Sequence, residues 1–506
     1  MQESARESAG WTKLEIGLGL AFLVIACTSL AWLVHPWYER ANDATLYLLT
    51  ARSLANGDGY SYLGEPFTVR PPGFSALLVP FVRGAHVDFH AVNLYVSAYG
   101  VACLAFLFAL SRKRLGAWLA FALCLALWFN PAWQRLCNTV LSDVPGTALL
   151  LACLLVEHEF GRAHRGSWTR DALLGFAVGL ASLVRSMNVL LVPAIACARV
   201  CEAWSDGARG KALAARIARR LLPLAAGAAV ALAPWSLWSA ANRPEGAVDQ
   251  LYVHSYSTAM WHTDIGDPRS ALRPTNEILG RIPERAEKLA ALLGSRLQAP
   301  ETGAVELVLG GLAFAGVLLA LGRRRGAGEF FVVGAACMLL VFVSFLDRHA
   351  LPVWLLAMVA ALEGFVYVMG KLRTPAILAR AAAVAAVASA AWVDWSPRRN
   401  WDVIEASHAQ MSRYCAAVAK ELPADARPAA QLGWHYALYL GRPVWSLTME
   451  EKRNGPLAIG ALLEKHRIDT VLLSDLMPVT PEVDAVLLAR TRSRTEVELG
   501  SVLRLK

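Results

Sequence analysis

The feature that most constrains this chain is a succession of apolar runs, each near the roughly 20 residues an α-helix needs to cross a bilayer. They lie at 15–34, 90–110, 115–130, 139–157, 172–184, 186–203, 221–240, 303–322, 329–346, 350–369 and 376–393. The fifth and sixth are short and separated only by "VRSMN", so they read as two spans or as one broken or re-entrant element. Of the 506 residues, 56% are hydrophobic and only 18% charged. A soluble domain is poorer in apolar residues and richer in charge, so the chain reads as an integral membrane protein. The N-terminal "MQESARESAGWTKLEIGLGLAFLVIACTSLAWLV" lacks a basic n-region and a cleavage site, and is read as a retained first span.

The net charge of +9 would suit a nucleic-acid partner if the basic residues formed a stripe. Instead they gather between apolar runs: "SRKR" at 111–114, "RGKALAARIARR" at 209–220, "RRR" at 323–325 and "GKLR" at 370–373. If all eleven runs cross with the N-terminus inside, every one of these loops is cytoplasmic, and so is "EFGRAHRGSWTR" at 159–170. This is the positive-inside pattern, and no nucleic-acid partner is expected. Three long pieces then share the opposite face: 35–89, about 241–302 and the tail. The tail alternates helix-like "ASHAQMSRYCAAVAKEL" with strand-like "PVWSL" and "DTVLLS". The expected fold is therefore an all-α polytopic membrane domain over 1–393 with about 11 transmembrane helices, then a small extracytoplasmic α/β domain over 394–506. Of the nine cysteines only Cys415 falls in the tail, so no disulfide framework is expected.

The stretch "ANDATLYLLTARSLANGDGY" at 41–60 follows the first apolar run directly. It places Asp43 at a membrane boundary, where a carboxylate is costly unless it has work to do. The spacing Asp43-x-x-x-Tyr47 puts both side chains on one helical face. Gly57, Gly59 and the turn Pro71-Pro72-Gly73 interrupt the helix, and Arg70 is held extended ahead of the two prolines. The same pattern also serves a plain interfacial helix with snorkelling charges.

These residues resemble the first extracytoplasmic loop of the GT-C superfamily, polytopic glycosyltransferases that use polyprenyl-phosphate sugars. The likeness is to the branch holding protein O-mannosyltransferases, the lipid A aminoarabinose transferase and Rhizobium-type core-oligosaccharide transferases. Further segments follow in the family's order: "NTVLSDVPGTALLL" at 138–151 with Asp143, "LLGFAVGLASLVRSMNVLLVP" at 173–193 with Arg185, "APWSLWSAANRP" at 233–244, and "FLDRHALPV" at 345–353 with Arg348. The resemblance covers roughly the first 350 residues, each motif alone being short and common. The chain departs from the pattern at His349, Ser186 and Val69, and its first loop lacks a D-x-D.

What the resemblance implies is an inverting sugar transfer from a polyprenyl-phosphate donor to an extracytoplasmic lipopolysaccharide, lipid, wall glycan or protein, in a bacterial inner membrane. Asp43 would be the general base, Asp143 a second acidic residue of the site, and Arg70, Arg185 and Arg348 the phosphate ligands, a role suited to guanidinium geometry. Arg185 and Arg348 also read as snorkelling residues at helix ends, and Asp143 as a helix cap ahead of Pro145. Tyr47 and His262 are weaker substrate-binding candidates, with Tyr252, Tyr256 and Trp261 as possible stacking surfaces. His254 and His262 are too far apart in the chain to suggest a metal site on their own. No cofactor is expected, and the motifs do not support a divalent metal. A transporter or flippase of a lipid-linked sugar, or a non-catalytic membrane scaffold, would share the spans but not the paired acidic loops.

Overall fold

A computed structural model describes residues 10–84, 86–163, 167–295, 303–342, 346–375 and 401–506, with isolated positions between 378 and 384. The chain forms two compact units, each assembled from segments distant in sequence. The first comprises Met1–Val34, Leu94–Leu237 and Pro274–Arg398, and the second His35–Asn93, Trp238–Arg273 and Arg399–Lys506.

The first unit is helical. Six described helices are long and apolar enough to cross a membrane: Lys13–Leu33, Phe89–Leu115, Ser186–Ser205, Gly210–Ala241, Ala304–Arg324 and Asp347–Lys371. The runs at 115–130 and 329–346 form shorter helices, Ala117–Trp128 and Ala327–Val341. Those at 139–157 and 172–184 form Asp143–Ala163 and Trp168–Val184. The run at 376–393 lies outside the described residues apart from isolated positions.

Small residues let some of these helices touch backbone to backbone. A Cβ on Gly175 would lie 1.9 Å from the Leu224 carbonyl oxygen, and one on Gly227 only 2.0 Å from that of Ala172. One turn on, Gly179 faces Ala231. Lipid tails are as apolar as leucine, so close packing of this kind replaces the hydrophobic drive between helices.

Arginines of the basic loops are partly neutralised by acids at neighbouring helix ends. Arg114 pairs with Glu329 at 2.8 Å and Glu363 at 2.7 Å, and Arg324 also reaches Glu363 at 2.7 Å. A second network joins Arg199 to Asp171 at 2.7 Å and Glu157 at 3.0 Å, with Arg220 on Glu202 at 2.9 Å. Ends that the charge pattern assigns to one membrane face are thus gathered within each network.

The second unit is mixed. Its first segment holds the helix Asn42–Asn56, a hairpin of β1 (Ser61–Tyr62) and β2 (Glu65–Pro66), the short helix Gly73–Leu78, and a hairpin of β3 (Val82–Arg83) and β4 (His86–Val87). The tail contributes β5 (Pro428–Ala430), β6 (Trp445–Ser446), β7 (Thr470–Ser474), β8 (Thr491–Val497) and β9 (Gly500–Leu505). They form one sheet in the order β6-β5-β7-β9-β8, parallel among β6, β5 and β7 and antiparallel across β7, β9 and β8. Side chains alternate along each strand, so Ala430, Leu472 and Val502 enter one apolar layer with the helices Trp401–Glu421 and Gly433–Leu440. Ala429, Val471 and Leu503 enter the opposite layer with Ile459–Lys465 and Pro481–Arg490. Leu49, from the Asn42–Asn56 helix, packs against the first layer. The tail sheet and the first-loop helix therefore share a core.

Gly175→Val would force a branched side chain onto the Leu224 carbonyl. Overpacking of this kind costs about 1–3 kcal/mol, so the thermal unfolding midpoint in detergent should fall, whereas Gly17→Val, with open space around it, should leave it unchanged.

Candidate active site

The helix Asn42–Asn56 carries Asp43 in its first turn, where the partial positive charge of the helix N-terminus favours a carboxylate. It stops at Gly57, whose left-handed φ of 86° lets its N–H turn back to the carbonyls of Ser53 and Leu54. Asp43, Tyr47 and Thr50 follow one another on a single face, as i, i+4 and i+7 residues do. That face meets the helix Gly73–Leu78: the Tyr47 ring stands edge-on to Phe74 at 4.9 Å, and the Thr50 hydroxyl bonds that of Ser75 at 2.8 Å. Arg70 sits just ahead, and the Tyr60 hydroxyl donates to its carbonyl at 3.1 Å. The proline pair and this bond give the buried guanidinium a defined direction.

The guanidinium Nη2 of Arg70 donates to Asp43 Oδ1 at 2.7 Å, and the Arg70 side chain is only 8% exposed. Tyr252, from the second long loop, completes the group: its hydroxyl donates to the same Oδ1 and accepts from the same Nη2. Burial disfavours the Arg70 charge, but the Asp43 carboxylate outweighs it and holds the guanidinium well above its ordinary pKa. Burial also pushes the Tyr252 hydroxyl upward, so it stays a donor. Arg70 Nη1 is buried and has no hydrogen-bond partner among the described residues. A buried guanidinium N–H without an acceptor is costly, and its natural complement is an anion.

The second loop is anchored on both sides of Tyr252. Asp249 accepts from Lys465 Nζ at 2.6 Å and His466 Nε2 at 2.9 Å, and Gln250 Oε1 accepts from the Ser446 N–H at 2.8 Å. Burial works against the Asp249 charge, yet these bonds hold its carboxyl below the usual range. Buried His254 bonds the Pro244 carbonyl at 2.7 Å. Sequence reasoning named Tyr252 only as a stacking surface; its hydroxyl touches Asp43 across 209 residues, a contact no local pattern reports.

Asp143 and Arg185 belong to the first unit and form their own ion pair, Arg185 Nη1 to Asp143 Oδ1 at 2.8 Å. Gly146 makes room for it, since a Cβ there would lie 2.5 Å from that of Arg185. Asn188 ties the turn down by donating to the Gly146 carbonyl at 2.8 Å. Arg185 Nε, like Arg70 Nη1, is buried without a hydrogen-bond partner among the described residues. Arg348 is half-buried in the turn Asp347–Ala350, at the start of the last described span. His262 is held within its own loop, its Nδ1 on the Ser270 carbonyl at 2.8 Å and its backbone bridging Leu272. Tyr47 is buried beneath Arg70, 5.4 Å from ring centre to guanidinium carbon. Among the described residues no three His, Cys, Asp or Glu side chains gather into a set that could hold a metal ion.

Comparison with known proteins gives this arrangement a setting. The fold is similar to that of ArnT from Cupriavidus metallidurans bound to undecaprenyl phosphate, at 15% identity, a TM-score of 0.62, and coverage of 96% of this chain and 98% of that one. It is also similar to the archaeal oligosaccharyltransferase AglB from Archaeoglobus fulgidus in complex with an inhibitory peptide and a dolichol-phosphate, at 13% identity, a TM-score of 0.53, and coverage of 92% and 70%. Residues 69–238 match the family described as dolichyl-phosphate-mannose-protein mannosyltransferase, a stretch containing Arg70, Asp143 and Arg185. No curated protein sequence matches. The chain is a multi-pass membrane protein with a glycosyltransferase fold. Its fold is the one seen in these two membrane proteins.

Removing one partner of a buried ion pair leaves the other uncompensated and costs about 3–5 kcal/mol, whereas replacing both by apolar residues is often neutral. Asp143→Ala should therefore lower the unfolding midpoint of purified protein, and Asp143→Ala with Arg185→Met should recover most of the loss.

Proposed function

We propose that the protein transfers a sugar from a polyprenyl-phosphate donor to an acceptor hydroxyl or amine on the extracytoplasmic face of a bacterial inner membrane, with inversion at the anomeric carbon. The observation that carries this reading is the Asp43–Arg70–Tyr252 group around a buried arginine, whose Nη1 has no hydrogen-bond partner among the described residues. The match of residues 69–238 to a mannosyltransferase family supports the reaction class, and the polyprenyl phosphates bound to ArnT and AglB suggest the donor.

In this reading Arg70 faces two ways. Nη2 holds Asp43 in orientation, while Nη1 meets the donor phosphate. The acceptor attacks the anomeric carbon as its bond to the phosphate oxygen breaks, and the acceptor proton passes to Asp43. The leaving polyprenyl phosphate is the anion Arg70 already compensates. Tyr252 holds the carboxylate in place at Oδ1. Arg185 and Arg348 stay phosphate-binding candidates by the resemblance, and within the helical unit Asp143 sets the position of Arg185. The tail, joined to the two loops in one unit, is read as extracytoplasmic with them.

Purified protein incubated with labelled polyprenyl-phosphate sugars and candidate acceptors tests the activity directly. Arg70→Ala should weaken donor binding by about 1.5–3 kcal/mol, the worth of a charge-assisted hydrogen bond, and Arg70→Lys should restore only part because the two-pronged geometry is lost. Wild-type donor affinity and turnover in both variants would contradict the assignment.

A further inference from the structure

The helix that presents Asp43 lacks a local start signal. Its N-cap is Ala41, which has no side chain to accept from the first turn, and a missing cap costs about 1 kcal/mol. Tyr38 bonds the Thr45 hydroxyl at 2.6 Å from just ahead of the helix, and the tail supplies the contacts to Asn42. The Asn42 side-chain oxygen accepts from the Trp434 indole N–H at 3.1 Å and from His435 Nε2 at 3.2 Å. The other ring nitrogen of His435 lies 2.9 Å from the Thr45 hydroxyl, so one imidazole grips both the first and the fourth residue of the helix. The pattern is self-consistent: a neutral imidazole with its proton on Nε2 donates to Asn42 and accepts from Thr45. Trp434 and His435 are both buried, and burial pushes the His435 pKa down to about 3, which keeps that neutral form.

A second tie runs in the opposite sense. Arg52, ten residues further along, donates from Nη1 to the Ala437 carbonyl at 3.0 Å and from Nη2 to that of Leu438 at 2.8 Å. These carbonyls belong to the last turn of the Gly433–Leu440 helix, where a cation is favoured, and that of Ala437 also accepts from the Gly441 N–H at 3.2 Å. The two helices therefore cap one another, and Asp43 lies one residue from the more specific of the two contacts.

We propose that the tail is a positioning element of the transfer site, with Trp434 and His435 holding Asn42 so that the neighbouring Asp43 carboxylate stays in register with Arg70 and Tyr252. The inference rests on Asp43 acting as the base, and it assigns the tail a part in the rate of transfer. Neither side chain touches the reacting atoms; both act through Asn42.

Trp434→Phe keeps the ring and removes the donor, His435→Leu keeps the bulk and removes both nitrogens, and His435→Gln keeps an N–H near the Nε2 position. With wild type and Asp43→Asn as references, three quantities are read: kcat and donor KM for transfer, hydrogen exchange of the 42–47 amides, and the unfolding midpoint. The expected result for Trp434→Phe combined with His435→Leu is faster exchange at 42–47, a kcat lowered about 10²-fold, an unchanged donor KM, and partial rescue of kcat when Gln replaces Leu. Wild-type kcat in the double variant, with Asp43→Asn slow, would overturn the positioning role alone. Equal losses with Gln and Leu, or exchange raised across the whole tail with a falling midpoint, would reduce the contact to packing and also overturn it. A wild-type rate in Asp43→Asn would instead remove the base assignment, and the positioning role would fall with it.

Discussion

The ion pair between Asp43 and Arg70 is the interaction on which the rest of the second unit depends. A carboxylate and a guanidinium taken out of water cost several kcal/mol each unless geometry and added hydrogen bonds offset the loss. Here the compensation comes from several directions. The helix N-terminus favours the acid, the Tyr252 hydroxyl bridges both partners, and Tyr60 fixes the backbone that aims the base. Residues from both long loops are needed to make the pair tolerable, and contacts from the tail hold both loops. All three segments of the unit meet around this charge pair or the loops that carry it.

How much of this was legible depends on sequence distance. The helix face of Asp43 and Tyr47, the break at Gly57 and the directed Arg70 follow from local rules, because helical spacing, glycine and proline act within a few residues. Asp43 and Arg70 are 27 residues apart within one loop, and both were nameable. Tyr252 and the Trp434–His435 clamp come from 182 or more residues away, and nothing in their own neighbourhoods marks them. His262 drew attention as an isolated histidine in a polar loop, but a carbonyl two turns of chain away satisfies its ring nitrogen. The helical domain was legible as apolar runs, yet length alone separates them poorly. Runs broken by Arg185, or cut short before Asn130 and Phe342, become helices of 17, 12 and 15 residues.

The basic loops show a related limit. Counting Lys and Arg gives an expected orientation, but it does not reveal that Arg114 and Arg324 of the basic loops, and Arg199 beside them, pair with Glu and Asp of adjacent helices. Those pairings let charge sit at helix ends packed together and complement the glycine contacts of Gly175 and Gly227, which draw backbones close where lipid offers no hydrophobic drive. In the first unit the Asp143–Arg185 pair repeats the logic of Asp43–Arg70: an acid at the start of a helix, an arginine mostly withdrawn from solvent, and a buried guanidinium nitrogen without a hydrogen-bond partner among the described residues.

The central claim is that Asp43 takes the acceptor proton. It is tested most directly by single-turnover sugar transfer in Asp43→Asn, measured beside donor affinity in the same preparation. The amide keeps the shape of the carboxylate and an oxygen for Arg70 and Tyr252, but cannot take the proton. The account predicts a rate lower by about 10²–10⁴-fold with donor affinity largely preserved. Transfer by Asp43→Asn at the wild-type rate would contradict it.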